Sequence, residues 1–226
     1  MLDRDDCDPE TARTTYRQFA RINAVVSRFR PVYRRWLRPL MATDPARRYA
    51  LLDIGSGGGD IAVALARWAL ADGFALEVTG IDLNPRALAY AVAREAPPGV
   101  VFRGEAAEAL LERGERFDFV VSNHLLHHLE DDELPAMLDA AARLCHHCAV
   151  MADARRSDAA YLVFAALAPL FLRGSYHRHD GLASLRRAYT PAELRHAAAP
   201  GWRLERLFPF RLALVSEPEA AMRQRR

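Results

Sequence analysis

Lysine is missing from all 226 residues: the 31 basic side chains are arginines, set against 29 acidic ones for a net charge of +2. So even a balance produces no strong global field and does not point to nucleic acid as the partner. The arginine-only usage, with abundant alanine, matches a GC-rich coding sequence rather than a chemical requirement. Cysteine is nearly absent too, at three residues. That is too few for a disulfide framework and fits a reducing cytoplasm. No basic region followed by an apolar stretch opens the chain, so no secretory leader is expected. Long apolar runs are lacking as well. The greasiest stretch, residues 161–172, has twelve residues and cannot span a bilayer. What remains, 51% apolar residues in a chain of this length, suits one α/β core.

Glycine is concentrated where it matters. In residues 51–60 an apolar strand runs into Asp53, and Gly55, Gly57 and Gly59 then alternate before a helical pattern begins. Glycine without a Cβ lets backbone approach a ligand closely and tolerates positive φ. A dinucleotide loop, G-x-G-x-x-G, fits poorly, since counting from Gly55 puts Asp60 at the third glycine position. Counting from Gly57 reaches Ala62, which some dinucleotide sites accept, so charge must decide. A carboxylate at the helix start repels the pyrophosphate that a helix N-terminus otherwise attracts. No G-K-[ST] follows, which removes the phosphate loop of nucleotide hydrolases. The pattern suits a phosphate-free ligand with a positive centre, and S-adenosylmethionine (SAM) has both properties.

These residues resemble the first motif of class I SAM-dependent methyltransferases, and three further segments extend the resemblance in order. Residues 78–84 form a second strand ending in an acid, and the resemblance implies that Asp82 binds the ribose hydroxyls with Leu83 beside it. Residues 100–108 resemble the third-strand motif, which implies that Glu105 and Ala106 meet the adenine. Residues 117–129 resemble the fourth-strand motif of small-molecule members, with Asn123 and His124 at the cofactor. The implied cofactor set is Asp53, Gly55, Ser56, Gly57, Gly59, Asp82, Leu83, Glu105, Ala106, Asn123 and His124, with SAM bound and S-adenosylhomocysteine released. Each piece also has a plainer structural reading. A glycine turn can be only a corner, and Asp82 can flank a helix capped by Asn84 with Pro85 at its first position. The two readings are compatible.

Strands are expected at 50–54, 76–82, 100–103, 117–122 and 148–152, with helices at 60–71, 85–95, 106–112 and 131–144 between them. Alternation of short apolar runs with helical patterns indicates a parallel sheet covered on both faces. A capping box at Thr190–Glu193 starts another helix, and 202–208 and 210–215 read as a closing strand pair. The resemblance implies a Rossmann-like, seven-stranded α/β sheet, mostly parallel with a final antiparallel strand and helices on both faces. The expected organisation is a helical lid over 1–43, a SAM-binding domain over 44–216 with a lid insertion at 154–189, and a polar, disordered tail over 217–226.

Residues 11–43 carry eight arginines and no acid, with Tyr16, Phe19, Ile22, Val26 and Phe29 at helical spacing. The readings are a solvated basic helix face, a lid touching substrate, or an RNA or anionic-lipid surface. Pro31 and Pro39 are expected to bound a second short helix containing Tyr33, Trp36 and Leu37. The apolar run at 161–172 reads as a buried helix, an apolar substrate wall, a dimer contact, or an interfacial membrane segment. A greasy lid beside a SAM site favours a small aromatic or lipid-like acceptor.

The end of the fourth strand lacks the [D/N/S]-P-P-[Y/F/W] signature of base-amine methyltransferases, which argues for a different acceptor atom. In-line orientation supplies roughly 7–11 kcal/mol at best to methyl transfer. A phenol, pKa about 10, must also lose its proton, and a placed base adds roughly 10²–10⁴-fold. Among eight histidines, His179 beside Asp180 is the first candidate base and His127 the second. Residues 179–191 resemble a segment in bacterial quinone- and polyketide-pathway methyltransferases. Cys145 and Cys148 form a lone C-x-x-C, at most half a zinc site, and the acid triad of magnesium-dependent catechol enzymes is not recognisable. Metal-independent O-methylation of a small hydroxyl is therefore expected, by a cytoplasmic monomer or homodimer. An RNA or protein methyltransferase, or a non-catalytic SAM-fold partner protein, is the alternative.

Overall fold

The computed structural model describes residues 14, 27–130, 132–171 and 177–217. The core is one seven-stranded sheet, and its strands explain themselves by alternation. In β1 (Arg48–Ile54) Leu51 points to one face and Leu52 to the other, both fully buried. The same double burial holds in β4 (Phe117–Asn123) and β5 (Cys145–Ala154), as a sheet covered on both sides requires. With β2 (Ala75–Ile81), β3 (Val100–Arg103), β6 (Arg203–Leu207) and β7 (Arg211–Ser216), the order is β3-β2-β1-β4-β5-β7-β6. Pairing is parallel from β3 through β5, and β7 runs antiparallel to both neighbours. The expected Rossmann-like sheet with one antiparallel strand is therefore present.

One face buries Tyr49, Leu51, Phe119, Val121 and Val150 beneath α3 (Asp60–Ala71) and a helical run formed by α1 (Phe29–Val32), a π-helical turn (Tyr33–Leu37) and α2 (Arg38–Met41). The other face buries Leu52, Val120, Met151, Leu212 and Leu214 beneath α5 (Ala107–Glu112), α6 (Glu133–Leu144) and α9 (Pro191–Ala197). Between β2 and β3 lies α4 (Pro85–Val92), capped by Asn84, whose side chain accepts the Arg86 and Ala87 N–H groups. Thr190 and Glu193 complete the expected capping box of α9.

Three expectations need correction. Pro31 and Pro39 lie inside the helical run at 29–41 rather than bounding it, Pro31 within α1 and Pro39 in the first turn of α2. Proline interrupts the backbone ladder there, and the intervening turn is π-helical. Second, β5 begins at Cys145 directly after α6 rather than at 148, so the whole C-x-x-C is strand, and both thiols are buried and outside any disulfide. Third, the helix expected over 85–95 stops at Val92, and Arg94 turns back to donate to the Gly58 carbonyl at 2.6 Å. The 29–41 run is tied down by the Tyr33 ring against Trp68, by Tyr33 and Arg38 donating to Asp72, and by Arg35 pairing with Glu205. Tyr16, Phe19, Ile22 and Val26, and the tail beyond Glu217, lie outside the described residues. The 154–189 insertion holds α7 (Asp158–Phe171) and α8 (His177–Arg187), which contact one another. No helix among the described residues is long and apolar enough to cross a membrane.

Candidate active site

Strand order reverses at β1, with β2 on one side and β4 on the other, and ligands of open α/β sheets sit beyond the carboxyl ends at such a point. The glycine turn fills that position. Gly55, Gly57 and Gly59 all have positive φ (68°, 52° and 72°). Ile81 accepts both the Gly55 and Ser56 N–H groups at 2.9 Å, which clamps the turn onto the end of β2. Gly59 is the N-cap of α3, where a Cβ would come within 2.4 Å of the Phe102 ring. At Gly57 the space beside the Cα is open.

Three carboxylates surround this turn. Asp82 orders it: one oxygen accepts Gly57 N–H at 2.7 Å, and the other accepts Asn84 N–H at 2.8 Å. Asp53, at the end of β1, is 1% exposed, and neither of its oxygens has a hydrogen-bond partner. Burial, then the charges of Asp60 and Asp82, push its pKa well above 3.8, and the nearby Ala62 N–H, short of hydrogen-bond geometry, relieves this only in part. A buried acceptor without a donor is costly. The turn thus presents unmet negative potential at a place where glycine admits close approach, and a cationic, phosphate-free group meets both conditions.

The residues expected at the adenine lie between the end of β3 and the start of α5. Glu105 pairs with Arg113 at 2.7 Å and with Arg103 at 3.6 Å, and Ala106 is the N-cap of α5. Leu83, 74% exposed, leaves an apolar surface beside Asp82.

Beyond β4 a second polar cluster forms. Asp153 near the end of β5 is buried and accepts the His127 backbone N–H at 2.9 Å, while its oxygens lie 2.8 and 2.9 Å from His127 Nδ1. Against its burial, the His127 hydrogen bonds and the nearby His124 ring, with Nδ1 3.6 Å away, hold Asp153 far below the usual carboxylate range. With Nδ1 so engaged, His127 Nε2 is buried and unpartnered. An ionised carboxylate on one ring nitrogen, leaving the other free, is the arrangement that orients a histidine as a base. His128 stacks at 4.2 Å from His127.

His124 serves differently. Its φ is +63°, an unusual conformation outside glycine. Its Nε2 lies 2.7 Å from Nη1 of Arg211, whose Nη2 donates to Asn123 at 2.5 Å. Burial and the Arg211 charge lower the His124 pKa to about 4, so it is neutral and accepts from the guanidinium. Burial also lowers Arg211 to about 10. His124, His127 and Asp153 bring potential metal-ligand atoms within 4.8 Å of one another. In this arrangement, however, hydrogen bonds already engage His127 Nδ1 and His124 Nε2.

The site therefore gathers Asp53, the glycine turn, Asp82 and Leu83 on one side, and Asn123, His124 and His127 on the other. His179 falls on α8, and its side chain lies outside the described residues. Sequence reasoning missed Asp153 and Arg211. The apolar run ending at Asp153 was a signal of the kind already used for Asp53 and Asp82. Nothing local marked Arg211, whose partners are 87 and 88 residues away.

Comparison with known proteins gives a consistent picture. The family described as a methyltransferase domain matches residues 51–147. A ubiquinone biosynthesis O-methyltransferase of Methylobacterium nodulans is 34% identical over 152 residues, covering 62% of this chain and 58% of that protein. Its counterpart in Cereibacter sphaeroides (strain ATCC 17029) is 36% identical over 96 residues, 42% of this chain and 36% of that protein. The chain thus spans little more than half the length of the first relative. Among solved structures, the plantazolicin methyltransferase BpumL with a triazolic desmethylPZN analog and SAH has a TM-score of 0.65 at 12% identity, covering 93% of this chain and 92% of that one. Magnesium protoporphyrin IX methyltransferase from Synechocystis PCC 6803 with bound SAH has a TM-score of 0.52 at 16% identity, covering 95% and 89%. At these identities the structures share the fold.

Proposed function

We propose that the chain, whose residues 51–147 match a methyltransferase domain, is a class I SAM-dependent methyltransferase that methylates the hydroxyl of a small aromatic or polyketide-like acceptor. The observation that carries the reading is Asp53, a buried carboxylate with no donor, set against a glycine turn that a phosphate-bearing ligand would find repulsive. SAM supplies an electrophilic methyl on a sulfonium. The residues of this chain do the rest. Asp53 and the glycine turn meet the cofactor's positive end. Asp82, already aligned by the Gly57 and Asn84 N–H groups, offers its remaining lone pairs to the ribose hydroxyls. Leu83, with Glu105 and Ala106, flanks the adenine, and Asn123 and His124 close the opposite side.

His127 takes the acceptor's proton at Nε2, while Asp153 fixes the ring and stabilises the imidazolium that forms. His179 is the alternative base, and His179→Gln leaves turnover intact if His127 serves. The quinone-pathway names of the two relatives support an aromatic hydroxyl as acceptor. The chemistry needs no metal, because a base, an electrophile and alignment suffice. A monomer or homodimer acting in the cytoplasm completes the reading.

The test is incubation with methyl-labelled SAM and host extract, followed by separation of small molecules from RNA and protein. Label is expected in an organic-soluble small molecule. Label confined to RNA or to protein refutes the reading. Tight SAM binding with no label transferred indicates a non-catalytic partner protein instead.

A further inference from the structure

The turn joining β6 to β7 encloses a recess of about 220 Å³, lined by Arg155, Arg206, Leu207, Phe208, Pro209, Phe210 and Arg211. Because β7 is antiparallel to β5, this turn lies at the carboxyl edge of the sheet, where Ala154 pairs with Arg211. The recess therefore adjoins the polar cluster beyond β4. Arg211 belongs to both: it lines the recess and holds Asn123 and His124. The His124 ring in turn lies 6.2 Å from that of His127.

Three guanidiniums line one recess, and Asp153, which acts on Arg211 from beyond ion-pair distance, offsets their charge only in part. Most arginines nearby have an acid: Arg156 is paired with Glu193, Arg203 with Glu205, and Arg35 with Glu205. Among the described residues, Arg155, Arg206 and Arg211 have no carboxylate within ion-pair distance. Arg155 and Arg211 each bury an Nε–H with no acceptor, and Arg155 instead stacks over the Phe210 ring at 5.6 Å. Guanidiniums without a paired carboxylate, on a lining otherwise made of Leu207, Phe208, Pro209 and Phe210, call for an anion attached to an apolar body. Guanidinium and carboxylate match in planar, bidentate fashion. Phe208, 83% exposed at the rim, offers a face for an aromatic ring.

We propose that this recess binds the carboxylate of the acceptor, so that the substrate is an aromatic hydroxy acid held by Arg155, Arg206 and Arg211 with its hydroxyl toward His127. The inference rests on the small-molecule methyltransferase reading and narrows its substrate class. It also gives Arg211 a purpose beyond positioning His124, since an anion in the recess neutralises a cation buried beside a base.

The experiment measures binding of hydroxybenzoates and hydroxyphenylpropenoates, each paired with its methyl ester, to the full chain loaded with S-adenosylhomocysteine. At least one acid is expected to bind tenfold or more tightly than its ester. Arg206→Gln, an exposed strand position, is expected to shrink that ratio about tenfold, with Arg155→Gln as a second variant. Equal binding of acids and esters across the panel, or a ratio unmoved in both variants, overturns the proposal. Inorganic phosphate displacing the acids at equal concentration overturns it too, because the recess then takes a free anion. Methyl transfer is followed separately. Arginine-dependent acid binding without transfer to any phenol leaves the recess standing and removes the methyltransferase reading. Transfer with no preference for acids does the reverse.

Discussion

The pairing of His127 with Asp153 is what turns one of eight histidines into a candidate base. Sequence singles out His127 by its place just after the fourth strand, yet it cannot show that a carboxylate 26 residues away accepts both the backbone N–H and Nδ1–H. His127→Gln is expected to cut kcat by roughly 10²–10⁴-fold, the span of a positioned general base, while leaving SAM affinity near normal. Asp153→Asn is expected to lose a similar factor, because an amide can stabilise the wrong ring tautomer and cannot support the imidazolium. Rapid-quench kinetics on both variants separates this from a packing role, which would instead lower the folded fraction. Full turnover in folded His127→Gln would transfer the role to His179. Glu105 teaches the opposite lesson. Its motif position was readable, but its pairing with Arg113 and Arg103 depended on side-chain geometry that spacing does not encode.

At the scale of elements, strand and helix periods revealed the sheet, and the misses lie where backbone geometry overrides local signals. The 145–148 segment, with two cysteines and two histidines, carries no clear strand pattern. It is nonetheless drawn into β5 by pairing with β4, with a register shift between Phe117 and Phe119 that absorbs the irregularity. The prolines at 31 and 39 look like boundaries, but the apolar face made by Phe29, Val32, Trp36, Leu37 and Leu40 is worth more buried than the ladder bonds lost. The glycine turn was legible because its requirement is steric. Gly59→Ala must accept a left-handed φ of 72° at a cost of about 1–2 kcal/mol, and must also displace Phe102 from the 2.4 Å contact. Its melting temperature is expected to fall by several degrees, roughly 2–4 °C per kcal/mol for a chain of this size. Gly57→Ala meets open space and serves as the steric comparison, since it bears the φ strain alone. Equal melting temperatures for the two variants would mean that Phe102 yields without cost.

For the molecule as a whole, Asp53, Asp60 and Asp82 come from β1, α3 and the end of β2, and only the folded sheet brings their charges together. Burial first, and then that gathering of charge, raises the Asp53 pKa above the 3.8 of an unfolded chain. A group whose folded pKa is raised binds its proton more tightly in the folded state, so stability falls as pH rises from 3.8 through the folded value. A cationic ligand beside Asp53 reverses the shift, because an opposite charge favours the ionised carboxyl. SAM binding should therefore release a proton in the window between the bound and free pKa values, and affinity should tighten as pH climbs through it. Titration calorimetry in buffers of different ionisation heat, run across a series of pH values, reads this directly: the observed heat should vary with the buffer inside that window. Asp53→Asn has no proton to give, so its heat should not vary even if its affinity is lower. Buffer-independent heats for the unsubstituted protein, with SAM bound, would show that Asp53 is already ionised before the ligand arrives. The glycine turn would then be recognising SAM by shape and not by charge.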